Sequence, residues 1–359
     1  MFLLQAIMTV AATTRLIFYL AFLQALLLVA IIASTYVIRT KPTPGDKRVD
    51  ILKEDKELLQ VRPEVKRSCP GPECSVNFPT TLAKLKQNSI SINSLKKMLD
   101  QNIERSFALP VVKRTGLTPP TFVILTTTNS NFASIMDNWL ESLRRLRVRY
   151  NITLMSEDNE TFSYFARRSN SEFRVILSSD LITPGRLGRN IPTYQQIIRK
   201  RTVYIYTLLK NGRDVLLSDV DTVWIKDPLP LIFKNYQHFD IWIAQGREPN
   251  FPCPCFFYLK SIPRVIELVL RWIQVLAYSE KVYTDQNALA MLLRSPEVKV
   301  KVDYLGYELF PLGSQYFNDT WHTDHANKVY IVHGNHLGRG EEKIAMFRKH
   351  GIWYLDRGQ

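Results

Sequence analysis

Cysteine is scarce in this sequence: the 359 residues hold four, Cys69 and Cys74 in C-P-G-P-E-C and Cys253 and Cys255 on either side of one proline. So few in so long a chain exclude a fold built on disulfides, and whether they pair among themselves or across is open. Cys253, Cys255, His333 and His336 are conceivable zinc donors, but C-x-C with H-x-x-H lacks the usual finger spacings. Internal repeats and low-complexity tracts are absent, which excludes solenoids and propellers. A nucleic-acid-binding motif is also missing, although the formal charge is +14. Between Arg39 and Thr118 stand 16 basic and 9 acidic residues, so half the excess lies in one segment of weak hydrophobic periodicity. Basic linker and solvated surface explain that charge, and no nucleic-acid partner is expected. What is present is apolar content, 46% hydrophobic and 11% aromatic, enough to bury a full-sized core.

Leu16 to Ile38 runs 23 residues without a charge. As a helix it would extend about 34 Å, sufficient for a hydrocarbon layer of roughly 30 Å. The apolar core of a cleaved signal peptide is only about 7–15 residues, so residues 16–38 read as an uncleaved signal-anchor behind a short tail, 1–15. Arg15 precedes the span while Arg39, Lys41, Lys47 and Arg48 follow it, which by the positive-inside rule favours the opposite orientation. Three sequons, at Asn151, Asn159 and Asn318, argue for a lumenal body. Residues 39–118 mix charge with prolines and carry one amphipathic stretch from Leu82 to Ile103. They read as a stem, with that stretch a tether through which two copies could form a homodimer.

From Pro119 to the end the pattern is that of a single α/β domain. Short β-branched runs at Thr121–Thr128, Tyr150–Met155 and Phe173–Leu177 alternate with helical spacing at Phe132–Leu146 and around Thr161–Arg168. Tyr194–Lys210 reads as a long helix stopped by Asn211-Gly212. Strands are expected at Asp240–Ala244, Phe256–Leu259 and Val329–Val332, helices at Pro263–Ala277 and Asp285–Leu293. Such alternation predicts a mainly parallel sheet flanked by helices, with ligands beyond the carboxyl ends of its strands.

At one such end lies Val215-Leu-Leu-Ser-Asp219-Val-Asp221-Thr-Val-Trp224, read as a buried strand running into two aspartates. On an extended backbone the i and i+2 side chains share a direction, so Asp219 and Asp221 could aim at one hard cation. A cation held by few protein oxygens keeps positions for phosphate, which suits a nucleotide diphosphate leaving group. Two turn-forming acids closing a strand are the plain alternative.

The order of L-K-N-G-R-D-V-L-L-S-D-V-D-T-V-W-I-K-D-P, T-D-Q-N-A-L, V-H-G-N-H-L-G and G-I-W resembles the nucleotide-diphospho-sugar transferase family, which includes plant rhamnogalacturonan xylosyltransferases. The resemblance spans roughly Pro119 to Leu355. It implies a Rossmann-like GT-A fold and a type II Golgi or endoplasmic-reticulum membrane protein. Such a protein would move sugar from a UDP-sugar, such as UDP-xylose or UDP-galactose, to a glycan or glycoprotein acceptor, with Mn²⁺ and retention of configuration. It makes Asp219, Asp221 and His333 the metal ligands. It also implies donor contacts from Thr126, Thr127, Arg201, Gly334 and Lys343, and places Asp285 and Gln286 near the anomeric carbon. Trp224 is expected either under the strand end or stacked on sugar. Where relatives carry an N-x-G-F-like turn this sequence has Cys253-Pro-Cys-Phe256, which leaves the acceptor open. A metal-dependent phosphodiesterase and a catalytically silent lectin on the same fold are the competing readings.

Overall fold

The apolar runs become one seven-stranded sheet covered by helices on both faces. The computed structural model describes residues 91–106, 121–147, 150–170, 172–178, 193–278, 284–335, 337–338 and 340–358. The expected signal-anchor, the stem up to residue 90, Cys69, Cys74 and His336 lie outside them. Among the described residues no helix is long and apolar enough to cross a membrane.

The chain begins with α1 (Ile92–Ser106), then β1 (Phe122–Thr128), α2 (Ala133–Arg145), β2 (Ile152–Ser156), α3 (Asn159–Ala166) and β3 (Phe173–Leu177). There follow α4 (Thr193–Lys210), β4 (Asp214–Ser218), β5 (Thr222–Trp224), α5 (Leu229–Lys234), β6 (Ile241–Gln245) and β7 (Pro252–Leu259). The last third supplies α6 (Pro263–Tyr278), α7 (Asp285–Arg294), β8 (Val302–Leu305), α8 (Gly313–Tyr316), α9 (Asp319–His325), β9 (Ile331–His333) and α10 (Gly340–Lys349).

The sheet order is β3-β2-β1-β4-β7-β6-β8. All its strands run the same way except β7, which is antiparallel to β4 and β6. Side chains alternate across it. In β4, Val215 and Leu217 join a core with Leu208 and Leu209 of α4 and Ile273 of α6, while Leu216 joins another with Trp139 of α2 and Ile232 of α5. Two covered faces explain why β4 reads as an unbroken apolar run. Each fully buried Leu or Val in it contributes roughly 1.5–3 kcal/mol of transfer free energy.

Three expectations change. The extended backbone expected through the two aspartates is absent: β4 stops at Ser218, Asp219 to Asp221 form a turn, and β5 pairs with β9 in a separate two-stranded ribbon. Asp219 and Asp221 therefore converge through a turn, not through strand alternation. β9 correspondingly lies outside the main sheet. Finally, the tether read between Leu82 and Ile103 is helical from Ile92 onward, yet its Leu95 and Leu99 are fully buried among residues of α4 and α6. That part of its apolar face is committed to its own chain.

Candidate functional site

The site forms where β4 leaves the sheet. The Asp219 N–H donates to Cys255 O of β7 (2.8 Å) and the Thr222 N–H returns to Asp219 O (3.0 Å). The Asp221 carbonyl accepts from the Gly334 N–H (2.8 Å), and β5 lies against β9 with Thr222 opposite His333. The ribbon thus carries a histidine from the far end of the sequence to the carboxylate turn. Under the turn, Ser218 Oγ accepts from the indole N–H groups of Trp139 and Trp224, each at 3.1 Å. Thr222 Oγ1 donates to Asp219 O (2.6 Å) and stands 2.8 Å from Ser218 Oγ, so the serine proton falls to the threonine oxygen. Trp224 is buried under the turn, edge-on to Phe256.

Charge is densely paired here. Arg201, at the middle of α4, bridges Asp219 Oδ1 (2.6 Å) and Asp285 Oδ2 (2.5 Å). Lys343 Nζ is 2.5 Å from Asp221 Oδ2, and His333 Nε2 is 3.5 Å from Asp221 Oδ1. Lys343 is a buried residue of α10, not part of a solvated loop. Burial raises the Asp219 carboxyl to about 7, although Arg201 opposes it. Burial acts the same way on Asp221, but His333 and Lys343 outweigh it and hold that carboxyl well below the ordinary range. Burial disfavours the imidazolium of His333, yet Asp221 and Cys253 push it up to about 10. The second ring nitrogen, Nδ1, lies 3.7 Å from Cys253 Sγ.

Asp219, Asp221 and His333 each offer one ligand atom, all within 4.8 Å of one another. Two carboxylates and an imidazole, 13–24% exposed at the side chain, fit a divalent cation that accepts nitrogen as well as oxygen, such as Mn²⁺.

Other expected residues fall as follows. Asp285 opens α7 and reaches the turn through Arg201; Thr284 caps that helix by accepting from the Asn287 N–H. Gln286 donates to Pro252 O (2.9 Å) beside Cys253. Thr126 ends up buried with its hydroxyl unpartnered, Thr127 half-buried on the other face of β1, and Thr128 buried. Gly334 is dictated by internal packing: a Cβ there would come 2.6 Å from the Phe347 ring and 3.1 Å from Asp221 O. Lys200, beside Arg201, faces Glu157 at 3.9 Å.

Sequence reasoning missed Ser218 as the support of the turn, Asn129, whose buried Oδ1 has no partner at the end of β1, and Arg199, buried near Asp285. Only Arg199 left a trace, in the Arg-Lys-Arg run of α4.

The profile of the nucleotide-diphospho-sugar transferases matches residues 147–347, more than half of the chain. A UDP-D-xylose:L-fucose alpha-1,3-D-xylosyltransferase of Arabidopsis thaliana is 25% identical over 256 residues, covering 65% of this chain and 70% of that protein. A UDP-galactose:fucoside alpha-3-galactosyltransferase of Dictyostelium discoideum is 22% identical over 280 residues, covering 64% of this chain and 42% of the relative. The carboxylate turn, the histidine brought to it and the acidic start of α7 all fall within the matched region, and the chain belongs to the nucleotide-diphospho-sugar transferase family, glycosyltransferases that use nucleotide-sugar donors.

Proposed function

We propose that the donor is a UDP-sugar, UDP-xylose or UDP-galactose, and that its diphosphate is bound with a divalent cation at Asp219, Asp221 and His333. The observation that carries this reading is the convergence of those three side chains at the carboxyl end of β4. A cation bound there would neutralise charge developing on the departing diphosphate. Lys343, seated on Asp221, adds a fixed positive charge on the same side. Arg201 holds Asp285 toward the turn, so Asp285 and the anchored Gln286 border the space a donor sugar would occupy. The unpartnered Thr126 Oγ1 and Asn129 Oδ1 suit a nucleoside, whose donors and acceptors would satisfy them.

Transfer proceeds with retention to a glycan carrying fucose, the acceptor named for the relatives, whose products are alpha-linked. The fold is of GT-A type, and residues 16–38 anchor it as a type II protein with this domain in the Golgi or endoplasmic-reticulum lumen. Exposure of Asn151, Asn159 and Asn318 supports that side of the membrane.

Purified protein with Mn²⁺ and a panel of UDP-sugars tests the reading. One donor should be consumed with transfer to a fucoside, and Asp221→Ala should abolish Mn²⁺-dependent UDP binding by calorimetry without unfolding the domain. Nucleotide-sugar hydrolysis with no transfer to any glycan would favour the phosphodiesterase instead. Unchanged binding in the variant would remove the metal assignment.

A further inference from the structure

The nucleotide-sugar chemistry leaves two thiols of this region without a task. Cys253 and Cys255 are 6% and 3% exposed, and their sulfurs lie 2.7 Å apart. They sit where β7 is irregular: Ile243 of β6 faces Phe257 but Ala244 faces Cys253, so the three residues between them on β7 bulge. A bulge re-aims side chains out of strand alternation, and this one brings both sulfurs to the imidazole of His333. That ring borders two donor sets of opposite character. Its Nε2 is 3.5 Å from an Asp221 oxygen, its Nδ1 3.7 Å from the Cys253 sulfur. Ligand atoms of Cys253, Cys255 and His333 all lie within 4.8 Å of one another, as those of Asp219, Asp221 and His333 do.

Buried cysteines often serve only as small apolar filler. Filler accounts for the contacts of Cys253 and Cys255 with the aromatic core, but not for two sulfurs and an imidazole nitrogen meeting at one point. We propose that Cys253, Cys255 and Nδ1 of His333 form a second cation site, suited to a soft divalent ion such as Zn²⁺, with His333 shared between the soft and the hard set. Thiolate and imidazole are the donors zinc prefers, whereas Mn²⁺ favours oxygen. Zinc–sulfur bonds of about 2.3 Å in tetrahedral geometry place sulfurs about 3.8 Å apart. The two thiols would therefore separate by about 1 Å and give up their two protons. His333 would give up the proton on Nδ1 and, when both sets are filled, that on Nε2 as well, joining the two ions as an imidazolate. Three protein ligands leave one position open. The Cys-Pro-Cys segment, a departure from the family pattern, then has a chemical role of its own.

The full-length protein, reduced and metal-free, is titrated with Co²⁺ as a spectroscopic probe. Native protein should develop a thiolate-to-cobalt charge-transfer band in the near ultraviolet that saturates at one ion, is displaced by Zn²⁺ and survives excess Mn²⁺. Cys253→Ser and Cys255→Ser should each lose it. Asp219→Asn should keep the band while losing Mn²⁺-dependent UDP binding, which separates this site from the proposed donor site. No band in the native protein, or a band persisting in both serine variants through Cys69 and Cys74, overturns the proposal. If the serine variants do not fold, alkylation of the native protein mapped by peptide mass spectrometry decides. Protection of Cys253 and Cys255 by Zn²⁺ supports the site, and equal alkylation with and without Zn²⁺ refutes it.

Discussion

Ser218 holds a position out of proportion to its size. Its single oxygen accepts from two buried indoles, and its proton goes to Thr222, which in turn grips the carbonyl of Asp219. Ser218→Ala would strand two buried N–H donors, each costing about 1–3 kcal/mol. We expect a loss of at least about 2 kcal/mol in urea unfolding, together with weaker Mn²⁺-dependent UDP binding because the carboxylate turn loses its support. Stability unchanged within error would mean the indoles find other acceptors. Arg201 poses the opposite problem, one cation between two carboxylates. Arg201→Met leaves Asp219 and Asp285 facing each other without it, and breaking a buried pair in this way costs about 3 kcal/mol. Arg201→Lys should recover only part of that, since an ammonium lacks the fork that reaches both carboxylates at once. An unfolding midpoint for Arg201→Lys equal to that of the native protein would show that charge alone matters there.

At the scale of elements, caps and register set the mouth of the site. Asp158 caps α3 by accepting from the Thr161 N–H (2.7 Å), and its other oxygen accepts from the Ser130 N–H (2.8 Å), which ties α3 to the loop after β1. Burial raises its carboxyl, but the two backbone donors outweigh that and hold it below the ordinary 3.8. A depressed carboxyl contributes stability above its unfolded value and loses it as the pH falls through the folded value. Asp158→Ala should therefore cost about 1 kcal/mol at neutral pH, with the gap to the native protein closing under acid; equal gaps at pH 7 and in acid would refute the linkage. Elements of this kind were unevenly legible in the sequence. β1, β4 and β6 could be read because both faces of each are covered, so their apolar runs are continuous. β8 was missed because it is a half-buried edge strand, Val302-Asp-Tyr-Leu305, with no such run. The direction of β7 depends on which strands it joins, and no residue within Pro252–Leu259 records that. Asp219-Val-Asp221 was expected to bring its carboxylates together on an extended backbone, but a turn closed by Cys255 and Gly334 does so instead. That closure involves partners too distant in the chain for any local pattern to show.

For the whole molecule, the open question is where the folded domain begins. Sequence alone puts the boundary at Pro119, because residues 39–118 are charged and rich in proline. In the structure, α1 lies before that boundary and packs against α4 and α6, with Leu95 and Leu99 fully buried and Asp100 accepting from the Tyr206 hydroxyl at 2.9 Å. α4 is also the helix that carries Arg201 to the carboxylates. A chain starting at Pro119 would expose the apolar surface that Leu95 and Leu99 cover, at about 25 cal/mol per Å². It would also leave the Tyr206 hydroxyl without its partner. Single substitutions scale the effect, since Leu95→Ala or Leu99→Ala at a fully buried site costs about 2–5 kcal/mol. The chain cut at Pro119 should therefore unfold at distinctly lower urea than one cut near residue 88, and hold UDP more weakly because α4 loses its brace. If the two truncated chains unfold at the same urea concentration, α1 belongs to the stem after all, and its packing on α4 and α6 contributes nothing to the stability of the transferase domain.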